Sequence, residues 1–159
     1  MTPHIPEALK TVRCVEPQPV SGLTTGDYVS LKNVDMAYIV AHLAQNNAAV
    51  QELIPLQASA VAGTGAKALT NDVPIWSNLD CAASDLMVKR TAAKTYSSDA
   101  GQKDKIIVFQ IDPAGLDIAN SFDCIGLQVE ASATFNILDV LYVLKMRYAE
   151  DQAPAVITD

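Results

Sequence analysis

Lys105-Ile-Ile-Val-Phe-Gln-Ile111, Cys124-Ile-Gly-Leu-Gln-Val-Glu130 and Leu138-Asp-Val-Leu-Tyr-Val-Leu-Lys-Met-Arg-Tyr148 decide the fold class. All three are rich in the β-branched and aromatic side chains that fit a pleated, half-buried surface. Between the first two stands only Asp112-Pro-Ala-Gly-Leu-Asp-Ile118, with Asp112 placed as a helix N-cap and Pro113 as a first-turn proline. That is room for one helical turn, laying Leu116, Ile118 and Ala119 on the rim of a sheet. In 124–130, Ile125, Leu127 and Val129 alternate with Gly126, Gln128 and Glu130, which predicts one wet face. Lys105–Ile111 is apolar on both faces, which predicts a central strand or one packed under another element.

Working towards the N-terminus, Tyr28–Leu31, Met36–Leu43, Val50–Ser59, Val73–Asn78 and Ser84–Thr91 also read as strands. They are separated by turn residues at Asn33–Asp35 and Asn46-Asn47, by a turn-rich stretch around Gly63-Thr-Gly65, and by the polar loop Ser97–Lys103. Pro55 removes a ladder donor, so its strand is expected at an edge or at a bulge. About eight strands at regular spacing predict an all-β domain, a sandwich or barrel. Residues 1–25 read as an extended N-terminal arm, because Pro3, Pro6, Pro17 and Pro19 interrupt any ladder or long helix. A short helix near Pro6–Val12 fits within it. Residues 149–159 read as a second tail, leaving 26–148 as the folded domain.

The chain has 159 residues, half of them apolar, enough for one domain with a real core and too hydrophobic for disorder. Its apolar runs are far shorter than the roughly 20 residues a membrane-spanning helix needs. No basic-then-apolar leader is visible, so a cytoplasmic start is expected. The net charge of −7 and scattered cations, with only Lys89-Arg90 adjacent, argue against nucleic-acid binding.

Reaction chemistry finds little footing. Cys14, Cys81 and Cys124 form neither a disulfide framework nor a C-x-x-C zinc pair, and Cys124 reads as a small core hydrophobe. Gly63-Thr-Gly-Ala-Lys67 lacks the spacing of a phosphate loop and reads as a turn needing positive φ. His4 and His42 are the only histidines, and His42 shares a strand face with Tyr38 and Val40. Most of the aspartates fall at strand ends, and none forms a calcium loop. No catalytic residue, cofactor site or metal site is therefore expected, and the protein is not expected to be an enzyme. A domain of this kind works by presenting surface. Trp and Tyr dominate interface hot spots, so the expected interface is the N-terminal arm with Trp76 and a nearby loop: Ile5, Leu9, Val12, Trp76 and Tyr96.

Several runs carry a resemblance. They are Tyr28-Val-Ser-Leu-Lys-Asn33, Gln57-Ala-Ser-Ala-Val-Ala-Gly-Thr-Gly-Ala-Lys-Ala-Leu69, Ile75-Trp-Ser-Asn78, Phe109-Gln-Ile-Asp-Pro113, Leu116-Asp-Ile-Ala-Asn-Ser-Phe-Asp-Cys-Ile125 and Val140-Leu-Tyr-Val-Leu-Lys-Met-Arg-Tyr148. Together they resemble a family of small virion proteins of tailed bacteriophages and prophages, over most of 28–148 but not the arms. The resemblance implies a head decoration or cement protein with a jelly-roll-like β-sandwich. It would be made in the host cytoplasm and would sit on the capsid exterior. Its partners would be the major capsid protein and further copies of itself, as trimers or dimers, and not nucleic acid or membrane. A tail-tube, connector or fibre-associated role is the alternative within the virion, although no long tube-forming hairpin loop is evident. A carbohydrate-binding β-sandwich is the alternative of another class, and one Trp is thin provision for a sugar site.

Overall fold

A computed structural model of the protein describes residues 5–148 and 155–157, without the side chains of Ile5 and Glu7. After a helical turn over Ile5–Ala8 come β1 (Leu9–Pro19), β2 (Thr24–Thr25), β3 (Val29–Ser30), β4 (Val34–Ala44), β5 (Glu52–Ala58) and β6 (Lys67–Ala68). Then follow β7 (Val73–Asn78), β8 (Val88–Ala93), β9 (Tyr96–Ser97), β10 (Asp104–Ile111), β11 (Cys124–Val129) and β12 (Ile137–Met146). The Asp112 carboxylate accepts from the Ala114 N–H at 2.9 Å, capping a 3-10 turn over Pro113–Gly115 as its sequence requires. Leu116 tucks into the core, whereas Ile118 remains exposed.

One sheet runs in the order β1-β12-β4-β10-β7-β8 and the other β2-β11-β5-β6, with β3 also on β11 and β9 also on β5. The pairings nest. β1 pairs β12, β2 pairs β11, β4 pairs β10 and β5 pairs β6, all antiparallel. The chain is thus one long hairpin of four strands against four, rolled so that alternate pairs fall in opposite sheets. That is the jelly-roll path. The β7–β8 hairpin lies outside the nest, entering between β6 and β10 and lengthening the first sheet beyond β10.

Strand periodicity builds the core. On β4, Ala37, Ile39, Ala41 and Leu43 point inward, and on β10 so do Ile107, Phe109 and Ile111. They meet Leu53, Ile125, Leu127 and Val129 of the facing sheet, with Leu138, Val140, Tyr142 and Leu144 of β12 alongside. The sandwich and the central place of Lys105–Ile111 are as the sequence predicts. Gly63 and Gly65 take the positive φ their turn needs, +75° and +65°. Pro55 falls where β5 lacks a partner on one side: β9 pairs Glu52 and Leu53, β6 pairs Leu56 and Gln57, and Pro55 stands between them.

Three expectations change. Residues 9–25 are not an arm outside a 26–148 domain but part of that domain, because Leu9–Pro19 is the edge strand beside β12 and buries Cys14 and Val15. Pro17 and Pro19 are tolerated at the end of an edge strand, where a missing N–H costs little ladder. The C-terminal tail is not wholly loose either. Val156 is buried and its carbonyl accepts from the Ser30 N–H at 2.7 Å, while 149–154 and 158–159 lie outside the described residues. The wet face predicted for β11 is covered at Gly126 by the ring of Tyr28. A Cβ on Gly126 would stand 2.4 Å from Tyr28 Cε1, and one on Gly63 would stand 2.9 Å from Cε2 of the same ring. Gly126→Ala is therefore expected to displace Tyr28 and to cost about 1–3 kcal/mol, read as a lower urea midpoint. An unchanged midpoint would mean that the ring moves freely.

Candidate interaction surface

The outward face of the six-stranded sheet is built by the residues that alternate with the core. Register places Arg13, Leu141, Val40, Val108, Trp76 and Lys89 in one row across all six strands. The next row holds Asp139, His42, Ile106 and Asn78, and on the other side stand Val143, Tyr38 and Gln110. Side chains four strands deep in this row are apolar, and Leu141 keeps 38% of its surface exposed. An apolar stripe turned outward on a sheet is the pattern of a binding face. The sequence signal for it was the apolar character of Lys105–Ile111 on both of its faces.

Polar groups frame the stripe. His42 Nδ1 lies 3.1 Å from Asp139 Oδ1, on the face its spacing with Tyr38 and Val40 predicted. Lys145 Nζ donates to Asp35 Oδ2 at 2.6 Å, which holds the Asp35 carboxyl below the usual range. Lys89 Nζ sits 5.8 Å from the Trp76 ring centroid, within cation–π range.

Among the described side chains expected at an interface, Leu9, Val12, Trp76 and Tyr96 do not gather in one patch. Trp76 lies in the outward row, half-buried. Leu9 pairs with Lys145 at the far edge of the same sheet. Val12 pairs with Tyr142 and packs against the core. Tyr96 pairs with Leu53 in the other sheet, packs against the core, and its hydroxyl lies 2.9 Å from Ser77 Oγ. Ile5 belongs to the first helical turn, and its side chain lies outside the described residues. Sequence reasoning missed Leu141, Val40 and Val108, whose alignment with Trp76 exists only once β12, β4, β10 and β7 are in register.

Elsewhere, the clefts are shallow and mixed. One of about 260 Å³ lies between Leu69, Val73, Ile111 and Leu116. Among the described residues no three His, Cys, Asp or Glu side chains converge as a metal site would need. Cys14 and Cys124 are buried, Cys124 fully, as its reading as a core hydrophobe expects.

No family model matches this sequence, and no curated protein matches it. Among solved structures the chain is similar to the crystal structure of SPBc2 prophage-derived protein YomS. The identity is 10% and the TM-score 0.51, over 91% of this chain and 95% of that one. At that identity the likeness is one of fold.

Proposed function

We propose that this chain is a phage virion structural protein, a head decoration or cement protein that docks on the major capsid protein of the expanded shell. The observation that carries the reading is the outward apolar row Leu141–Val40–Val108–Trp76 on a jelly-roll sandwich. The sequence resemblance to small virion proteins of tailed phages supports it, and so does the fold likeness to a prophage-derived protein. The mechanism is mechanical. A protein that binds only the expanded lattice stabilises that lattice by linkage. Homo-oligomers bound across capsomer boundaries detach rarely, because every copy must let go together.

Co-sedimentation with expanded shells lacking the protein, against unexpanded procapsids, tests this. Saturable binding to expanded shells alone is the expected result, and equal binding to both, or to neither, defeats the proposal. Leu141→Glu is expected to leave folding within about 1 kcal/mol of the parent, since the side chain is partly exposed. The same change should weaken shell binding roughly ten-fold or more, the equivalent of losing one good apolar anchor. Unaltered binding of Leu141→Glu would move the docking surface away from this face.

A further inference from the structure

We propose that the free edge of β8 binds an acidic, extended segment of another polypeptide, which adds to the first sheet as a further strand. This holds whether or not the chain is a virion component.

β8 ends its sheet, pairing with β7 on one side only, and most of its residues are exposed. Such an edge presents unpaired N–H and C=O groups that template another strand. The other edges are less open. β1 ends in Pro17 and Pro19, has two breaks in register, and lies beside Ala155–Ile157. β6 is only two residues long. The β7–β8 hairpin is also the part of the first sheet that the nested roll does not require.

Charge selects the occupant. The chain carries −7 overall, and six of its eleven lysines and arginines pair with carboxylates. Among the described residues Lys89, Arg90 and Lys94 have no carboxylate within 4.0 Å. These three, two within β8 and one just past its end, are cations of an acidic protein left without a carboxylate at an open strand edge. Lys89 faces the Trp76 side of the sheet and Arg90 the Ile75 side, where its Nε donates to Ser77 Oγ at 2.7 Å. A strand laid along β8 would thus meet a cation on each of its faces. A second copy of β8 is disfavoured there, because Lys and Arg would stand against Lys and Arg. The register break between Arg90 and Ala93 shortens the regular edge to Val88–Arg90, so charge must supply what a short ladder does not.

The test uses fluorescence anisotropy of the full chain with a labelled peptide of alternating glutamate and valine. Controls are the same peptide N-methylated at alternate amides, its lysine counterpart, and a short oligothymidylate. Hydrogen–deuterium exchange then locates the contact. The expected result is salt-sensitive binding of the acidic peptide, weakened roughly ten-fold or more by N-methylation, with slowed exchange over Val88–Ala93. The triple variant K89E/R90E/K94E should bind at least as much more weakly, and the N-methyl comparison stands if that variant fails to fold. Equal binding of the N-methylated peptide, protection elsewhere, tighter binding of the oligothymidylate, or no binding of the acidic peptide would each overturn the proposal. Loss of shell binding with retained peptide binding would strike only at the virion reading.

Discussion

Removing residues 1–25 is expected to abolish folding, not merely to release a contact. The segment contains the whole of β1 and β2, one strand from each of the two outermost pairs of the nested roll, β1 with β12 and β2 with β11. Cys14, Val15 and Val20 are buried in the core, and Val12 packs against it. Loss of buried aliphatic groups costs about 1–5 kcal/mol each, so several together exceed the roughly 5–15 kcal/mol by which a domain is stable. The polar accounts fail as well. Cys14 Sγ–H donates to the Tyr142 hydroxyl at 3.0 Å, and that hydroxyl donates to the Asp27 carbonyl at 2.8 Å. Burial pushes the Cys14 thiol up to about 12, so it stays a neutral donor at physiological pH. Deletion would also strip β12 of its neighbour and expose a long apolar edge. The measurement is near-UV circular dichroism and urea unfolding of 26–159. A native spectrum with a cooperative transition would restore the reading of this segment as an arm.

That segment shows where the sequence could be read and where it could not. β10, β11 and β12 were legible because their side chains alternate or are apolar throughout, a local property. β1 was hidden because Pro17 and Pro19 look like breakers in one dimension and are harmless at the end of an edge strand. Gly126 looked like part of a solvent face because its cover, Tyr28, comes from a remote loop. Trp76 stood out by residue type, and the structure places it in the outward row. Its neighbours Val108, Val40 and Leu141 did not stand out, since each comes from a different strand and only register aligns them. That Val12 and Tyr96 pack against the core was hidden for the converse reason: composition cannot say which face of a strand a residue takes. The cations of β8 announced themselves only as the adjacent pair Lys89-Arg90, and that other lysines find carboxylates is a tertiary fact.

Lys105 is a residue whose weight no local pattern disclosed, and its removal is the second large effect expected. It is the second residue of β10, on the inward face, opposite Leu43, and is fully buried. Its Nζ donates to Gln45 Oε1 and Asp99 Oδ1, both at 2.6 Å, and to the Gly101 and Asp99 carbonyls at 2.7 and 3.0 Å. Gln45 in turn donates to the Ala49 and Asp99 carbonyls and accepts from Ser98 Oγ, so one ammonium ties the 98–101 loop to the end of β4. Lys105→Met keeps most of the stem and removes the donors, leaving a buried amide oxygen and backbone carbonyls short of partners. Each such orphan costs about 1–3 kcal/mol. The Asp99 side chain is 54% exposed and keeps its water, so the total should be about 2–4 kcal/mol, below the 3–5 typical of breaking a wholly buried pair. Acid provides a second signature. The hydrogen bond from Lys105 holds the Asp99 carboxyl below its ordinary range. A group depressed in the folded state adds stability that is complete above its unfolded value, about 3.9, and lost as pH falls through the folded one. Urea midpoints measured from about pH 6 down to about pH 3 should therefore fall less in Lys105→Met than in the parent. Asp35, Asp80 and Asp117 are shifted the same way by their own lysines, so both proteins lose stability in acid and only the difference in slope reports on Asp99. Parallel slopes would mean that the ammonium is held by Gln45 and the carbonyls alone, and that Asp99 is dispensable to the loop.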